Sequence, residues 1–86
     1  MTADDGPFHY RTEVLQDLWR YGIQPTSRTR PELVREFVRD LYRYEIRRLR
    51  ARMLGREFPR IEYAARVDRL RREYAILALL PRQLLD

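Results

Sequence analysis

Apolar positions recur with helical spacing in three segments of the chain. The first segment predicts a helix over about residues 12–21, with Thr12 as its N-cap. Gly22 follows at the position where many helices end in a left-handed residue, and we expect Ile23 to fold back onto Leu18 as in a Schellman motif. The first helix is therefore expected to be short and to end at a defined stop.

The second segment predicts a longer helix over about residues 30–54. Thr29 and Glu32 have the spacing of a capping box, and Pro31 falls in the first turn, where no helical hydrogen bond is lost. An apolar arc near the start of this helix comprises Leu33, Val34, Phe37, Leu41 and Tyr44. A second arc, further along, comprises Tyr42, Ile46, Leu49 and Met53. A helix with two apolar arcs is expected to have two neighbours.

The third segment predicts a helix over about residues 59–80, opened by Pro59 after a turn at residues 55–58 and ended by Pro81. Its apolar seam alternates four-residue and three-residue spacings and comprises Tyr63, Val67, Leu70, Tyr74 and Leu77. Reversal of the chain at Gly55 would set this seam against the second arc of the preceding helix, with Tyr42 near Tyr74. The sequence therefore predicts an all-α fold, a small three-helix domain built on a long antiparallel helical hairpin. The shorter first helix is expected to pack across the hairpin and to cover Leu33, Val34, Phe37 and Leu41.

The 86 residues are enough for one domain. Residues 1–9 are small, acidic and interrupted by Gly6 and Pro7, which predicts a disordered arm before a helical domain at residues 10–86. A domain of this size buries only about 60% of the surface of its unfolded chain, and the absence of cysteine excludes disulfides. We therefore expect further burial through homo-oligomerisation, as a dimer.

The start of the chain has neither a basic stretch nor an apolar core, so no signal peptide is expected. The longest apolar run, residues 75–80, is far shorter than the roughly 20 residues that span a bilayer. These features predict a cytoplasmic protein without a transmembrane segment.

At the end of the predicted third helix, apolar side chains lie on nearly all sides. The contact between the seam and the second helix would bury only some of them. Two interpretations remain open: the first helix packs over these residues, or they contact a second subunit or another protein. The candidate apolar interface comprises Ile76, Leu79, Leu80 and Leu84.

Positive charge is concentrated in residues 43–72, where eleven arginines and four acidic residues give a net charge of +7, against +5 for the whole chain. Along the third helix the arginines have acidic partners at four-residue spacing, in the pairs Glu62–Arg66, Asp68–Arg72 and Arg69–Glu73. Unpaired charge therefore gathers at the end of the second helix and in the turn. The candidate site for an acidic partner comprises Arg43, Arg47, Arg50, Arg52, Arg56 and Arg60. The alternative is a solvated face whose cations complement the helix dipole.

Catalytic chemistry is not expected. The chain has one histidine, His9 in the disordered arm, and one serine, Ser27 in a loop, with no cysteine and no lysine. No nucleophile therefore has an adjacent base that packing could hold in place. Glycine occurs only at positions 6, 22 and 55, which excludes a glycine-rich phosphate loop. We predict no enzyme, no cofactor and no metal site.

These features together predict a non-catalytic helical protein–protein interaction module that self-associates and presents an arginine-rich end to an acidic partner. The alternative is a nonspecific nucleic-acid-binding protein that uses the same arginines for phosphate contacts. Sequence-specific reading of DNA is not favoured, because a tight antiparallel hairpin differs from the steeply crossed helices of a helix-turn-helix.

Overall fold

The computed structural model describes residues 6–86, which are mostly helical and contain no β-strand. Helix α1 spans Thr12–Arg20, α2 spans Pro31–Leu54 and α3 spans Tyr63–Glu73. The all-α class predicted from the sequence is thus confirmed. Single 3-10 turns lie at Arg60–Glu62, Ala75–Ala78 and Pro81–Leu84.

The described residues form an elongated body that measures 54 × 17 × 17 Å. Its long dimension follows from α2, whose 24 residues extend over about 36 Å at 1.5 Å per residue. No helix in this part of the chain combines the length and the apolar character that crossing a bilayer would require.

The stop of α1 confirms the predicted Schellman motif. Gly22 adopts a left-handed conformation with φ of 84°, and its N–H donates to the Trp19 carbonyl at 3.0 Å. The Ile23 N–H donates to the Leu18 carbonyl at 2.8 Å, which closes the motif. The predicted N-cap is wrong, because Arg11 occupies that position and no side chain caps the helix.

The start of α2 also lacks the predicted capping box. Arg30 is the N-cap residue, and its side chain makes no capping hydrogen bond. The Thr29 hydroxyl instead accepts a hydrogen bond from the Thr26 N–H at 3.0 Å, so the preceding turn uses the group that was expected to cap the helix. Pro31 lies at the first helical position, as predicted.

The end of α2 is closed by a second Schellman motif whose left-handed residue is an arginine. Gly55 has φ of −79° and Arg56 has φ of 62°. The Arg56 N–H donates to the Met53 carbonyl at 3.0 Å, and the Glu57 N–H donates to the Arg52 carbonyl at 3.0 Å. The position that favours glycine thus lies one residue after the only glycine of the turn.

Helix α3 ends at Glu73, well before the predicted end at about residue 80. Tyr74 leaves the helical conformation, and its ring stacks on Tyr21 with centroids 4.7 Å apart and meets Tyr42 edge-on at 5.7 Å. The following residues fold over the start of α2, where Arg35 donates hydrogen bonds to the carbonyls of Leu77 and Leu79. Contacts distant in sequence therefore end a helix that the apolar pattern alone would continue.

The main core lies at one end of the molecule, in a region that we call the base and that comprises residues 6–42 and 74–86. Side chains from α1, from the first half of α2 and from the C-terminal turns meet there. The buried members of this cluster are Tyr10, Val14, Leu18, Val34, Val38, Ile76 and Leu84. Helix α1 does not cover all the predicted residues of α2, because Leu33 and Phe37 remain 37% and 50% exposed.

The rest of the molecule, residues 43–73, is a thin region that we call the basic extension. It comprises the second half of α2, the turn and α3, and only Leu49 and Phe58 are buried in it. Helices α2 and α3 contact each other along this region. No residue of α3 is fully buried.

Residues 6–9 are ordered against the base, which corrects the predicted disordered arm for these positions. The Gly6 N–H donates to the Ser27 hydroxyl at 3.0 Å, and the His9 carbonyl accepts from the Asp86 N–H at 2.8 Å. A Cβ atom on Gly6 would lie 2.2 Å from the Ser27 carbonyl oxygen, so only glycine fits this close approach. The remainder of the predicted arm, residues 1–5, lies outside the described residues.

We expect Arg56→Gly to stabilise the protein. A left-handed conformation costs a residue with a Cβ about 1–2 kcal/mol, and the larger entropy that glycine loses on folding reduces the net gain to about 0.5–1 kcal/mol. Gly22→Ala is the matched control at the stop of α1, and we expect it to destabilise the protein by about 1 kcal/mol. Urea unfolding of both variants measures the effect. A less stable Arg56→Gly protein would contradict the conclusion that the left-handed conformation of Arg56 costs free energy.

We expect the protein to lose stability above pH 10. Burial, with a smaller contribution from Glu32, raises the pKa of Tyr10 from 10.0 to about 12, and the Tyr10 hydroxyl donates to the Thr29 carbonyl. Because the folded state holds this proton more tightly, its contribution is fully present below pH 10 and is lost as the pH rises towards 12. Unfolding midpoints measured across this range should fall less steeply for Tyr10→Phe, and an unchanged slope would contradict the prediction.

Candidate functional site

The six arginines predicted to bind an acidic partner are all exposed in the basic extension. Arg43, Arg47 and Arg50 follow one another at spacings of four and three along α2, so they form one stripe on that helix. Arg56 and Arg60 lie around the turn, where both line a shallow cavity. The six arginines therefore extend from the middle of α2 to the turn, and Arg52 is the member that makes an ion pair within residues 6–86, with Glu57.

Ion pairs use three of the four acidic residues between Arg43 and Arg72. Two pairs predicted on α3 are confirmed, with Arg66 3.0 Å from Glu62 and Arg72 2.5 Å from Asp68. The third predicted pair, Arg69–Glu73, is not formed within the described residues. Instead a pair not predicted, Arg52–Glu57, joins the end of α2 to the turn at 3.2 Å.

Eight of the eleven arginines between positions 43 and 72 thus make no ion pair with any residue of 6–86. Five of them belong to the predicted site, and the other three are Arg48, Arg69 and Arg71. One or two cations at the end of a helix suffice to complement its dipole. The remaining excess is a positive field that no ion pair within residues 6–86 neutralises.

Arg52 has a structural role that its sequence position did not indicate. Phe58 is buried in the turn at 6% exposure, and the Arg66 guanidinium lies over its ring at 4.0 Å from the centroid. The Arg52 guanidinium lies 5.8 Å from the same centroid while its Nε donates to Glu57. These contacts attach the turn to both helices, so Arg52 is not available to a partner in the way that the other five arginines are.

Arg50 and Arg60 line a groove of about 470 Å³ on one side of the basic extension. The remaining lining residues are apolar or aromatic: Met53, Ile61, Tyr63 and Ala64. Ile61 is 90% exposed, although its side chain is aliphatic. The sequence did not predict these apolar residues, which we call the apolar floor of the groove, because Ile61 lies off the seam of α3. An aliphatic residue off the seam and next to an arginine was the one feature that could have indicated such a site.

A second groove, of about 270 Å³, lies between α2 and α3 and has a mixed lining. Its charged lining consists of four arginines and two glutamates: Arg48, Arg52, Arg66, Arg69, Glu45 and Glu73. The carboxylates there offset part of the positive charge, so this groove is a weaker candidate for an anionic ligand than the groove at Arg50 and Arg60.

The four residues of the candidate apolar interface differ in burial: two are buried in the core, one is partly buried and one is exposed. Ile76 and Leu84 are 1% and 0% exposed and belong to the core of the base, so the interface prediction is wrong for these two residues. The physical reason is the end of α3 at Glu73, which lets the chain turn both side chains inward. Leu79 packs partly against the core, and Leu80 is 51% exposed.

The residues considered for catalysis lie in the base. The Ser27 hydroxyl accepts the Gly6 N–H, and His9 and Ser27 line the same shallow cavity beside Asp86. Among residues 6–86, no three histidine, aspartate or glutamate side chains cluster as a metal would require.

We expect Arg66→Gln to destabilise the basic extension by about 1 kcal/mol, because it removes the cation over Phe58 and the Glu62 pair. Arg69→Gln is the matched control on the same helix, with an expected change below about 0.5 kcal/mol. In a Phe58→Leu background the difference between the two variants should shrink. Urea unfolding of both variants and their parent proteins in the two backgrounds measures these changes, and equal effects of Arg66→Gln and Arg69→Gln would contradict the role given to Arg66.

Comparisons of the chain with family models, with curated proteins and with solved structures find no match.

Proposed function

We propose that this protein is a non-catalytic helical interaction module of the cytoplasm, which self-associates and binds an acidic partner through its basic extension. The observation that carries the proposal is the set of eight arginines between positions 43 and 72 that have no ion pair within residues 6–86. Such a field attracts an acidic surface and raises the rate of encounter with it. Arg43, Arg47, Arg50, Arg56 and Arg60 are the proposed binding residues.

The proposed architecture of the extension is an antiparallel hairpin of α2 and α3. Two observations support it. Tyr42, in the middle of α2, meets Tyr74 just after α3, and the mixed groove is lined by Arg52 near the end of α2 together with Arg66 near the start of α3. Contacts of this order, in which later residues of one helix meet earlier residues of the other, are those of an antiparallel pair. A hairpin would hold the arginines of both helices on a single rigid support.

The groove at Arg50 and Arg60 favours an acidic protein segment over other anions. Its apolar floor would bury an aliphatic or aromatic side chain of the segment, while the two guanidinium groups would bind carboxylates in bidentate fashion. Burial of Ile61 alone removes a largely exposed aliphatic side chain from water. A partner that offers only phosphates would leave this apolar surface in water.

Nonspecific nucleic-acid binding remains the second candidate function. The stripe of Arg43, Arg47 and Arg50 favours it, because a row of cations along a helix can follow a phosphate backbone. Binding of this kind releases counterions and weakens steeply as salt is added, whereas a contact with a large apolar part depends less on salt.

We expect the protein to bind a labelled peptide that alternates glutamate with leucine, and Arg50→Gln and Arg60→Gln each to weaken binding about tenfold, which is about 1.4 kcal/mol. Arg72→Gln is the matched control, because Arg72 is also on the surface but is already paired with Asp68. Fluorescence anisotropy with this peptide, and with a polyglutamate peptide of equal charge, measures the affinity. Equal losses in all three variants would contradict a defined groove.

The same titration with labelled duplex DNA, from about 50 to 200 mM salt, decides between the two functions. Weak DNA binding beside tight peptide binding supports the acidic protein partner. Tight DNA binding with a steep salt dependence, together with a peptide that binds no better than polyglutamate, would replace the proposal with the nucleic-acid function.

A further inference from the structure

One side of α2 carries a regular row of exposed residues, away from the side that holds Val34 and Val38 in the core. Its members alternate spacings of four and three, as residues do along the contact line of a coiled coil. All seven are exposed, and four of the seven large apolar side chains that are exposed in residues 6–86 belong to it. We call this row the α2 seam, and it comprises Leu33, Phe37, Asp40, Tyr44, Arg47, Ala51 and Leu54.

The α2 seam exposes an unusual amount of apolar surface for so small a chain. Phe37, Tyr44 and Leu54 are 50%, 55% and 60% exposed, and Leu33 is 37% exposed. The seam extends over about 32 Å, from the base to the end of the basic extension. Exposed apolar surface arranged along one line marks an interface rather than scattered surface residues.

The charged residues of the α2 seam indicate which molecule binds to it. The polar members are Asp40 in the first half and Arg47 in the second half, equally far from a point between positions 43 and 44. A second copy of the chain that runs in the opposite direction would bring its Arg47 beside Asp40, and its Asp40 beside Arg47. The same arrangement would bring Phe37 and Leu33 towards Leu54 of the second copy, with the two Tyr44 side chains near the two-fold axis.

We infer that two copies of the chain form an antiparallel homodimer through the α2 seam. An interface of this kind is isologous, so every favourable contact occurs twice. A parallel pair would set Asp40 against Asp40 and Arg47 against Arg47, and would bring together two extensions that each carry +7 between Arg43 and Arg72. The antiparallel pair instead sets each basic extension beside the first half of α2 of the other copy, where Glu32, Glu36 and Asp40 lie.

This inference rests on the self-association included in the proposed function, and it assigns that self-association to a different surface from the C-terminal leucines. It also moves Arg47 from the residues proposed to bind the acidic partner to the dimer interface, while Arg50 and Arg60 keep their groove. The two activities can therefore fail separately: loss of the dimer should leave peptide binding in place, and loss of the groove should leave the dimer in place.

Sedimentation of the full chain over a range of concentrations tests the inference. The unaltered protein is expected to have about twice the chain mass of 10.6 kDa. Phe37→Glu should raise the dimer dissociation constant at least tenfold, because the two-fold interface contains the substitution twice. Ile61→Glu is the matched control, since it alters a more exposed aliphatic residue off the seam and should leave the dimer unchanged.

A charge exchange tests the orientation. Asp40→Arg alone and Arg47→Asp alone should each weaken the dimer, and the double variant Asp40→Arg/Arg47→Asp should restore it, because only the antiparallel arrangement sets these positions side by side. Circular dichroism of each variant checks that the helices are intact. A monomer at every concentration, a dimer indifferent to Phe37→Glu, or a double variant as weak as the single ones would overturn the inference.

Discussion

The fold depends on the return of the C-terminal residues across the base. After α3 ends at Glu73, the chain turns back over the start of α2 and inserts Ile76 and Leu84 into the core. Hydrogen bonds close the return at both ends: Arg35 donates to the Leu77 and Leu79 carbonyls, and the Arg11 N–H donates to the Leu84 carbonyl. Without these two side chains, the core cluster of α1 and the start of α2 would lose two of its three largest fully buried residues.

Because the core is gathered in the base, the rest of the chain forms a thin extension. A compact chain of this length would have a radius of gyration of about 12 Å, whereas the observed value is 15.7 Å. Two packed helices bury only the line along which they touch, and every other side chain of the extension meets water. The arginines are therefore accessible as a consequence of the shape, and stacking of Arg66 on Phe58 provides stability that so thin a core cannot supply.

The sequence predicted the features that local interactions decide. The bounds of α1 and α2, the stop at Gly22 and the pairs Glu62–Arg66 and Asp68–Arg72 follow from residues within one or two turns of each other. The failures have two causes. Thr29 is taken by a competing local turn with Thr26, which the capping-box spacing does not reveal. The end of α3 depends on distant partners, because Tyr74 is held by two other tyrosines. Of the candidate site, the stripe on α2 followed from spacing alone. The apolar floor beside it did not, because it depends on how the turn returns towards α2.

The distribution of charge along α2 connects the two proposed activities. This helix begins in the base with Glu32, Glu36 and Asp40 and continues into the extension with Arg43, Arg47 and Arg50. The repulsion among the arginines of one extension is a cost that the isolated chain offsets only in part, since the acidic residues of positions 43–73 are fewer than the arginines there. A second copy in antiparallel orientation offsets part of that repulsion along the seam, and an acidic segment offsets another part in the groove at Arg50 and Arg60. The two ligands act on the same excess charge, the second copy at Arg47 and the acidic segment at Arg50 and Arg60, so each reduces the electrostatic gain that remains for the other.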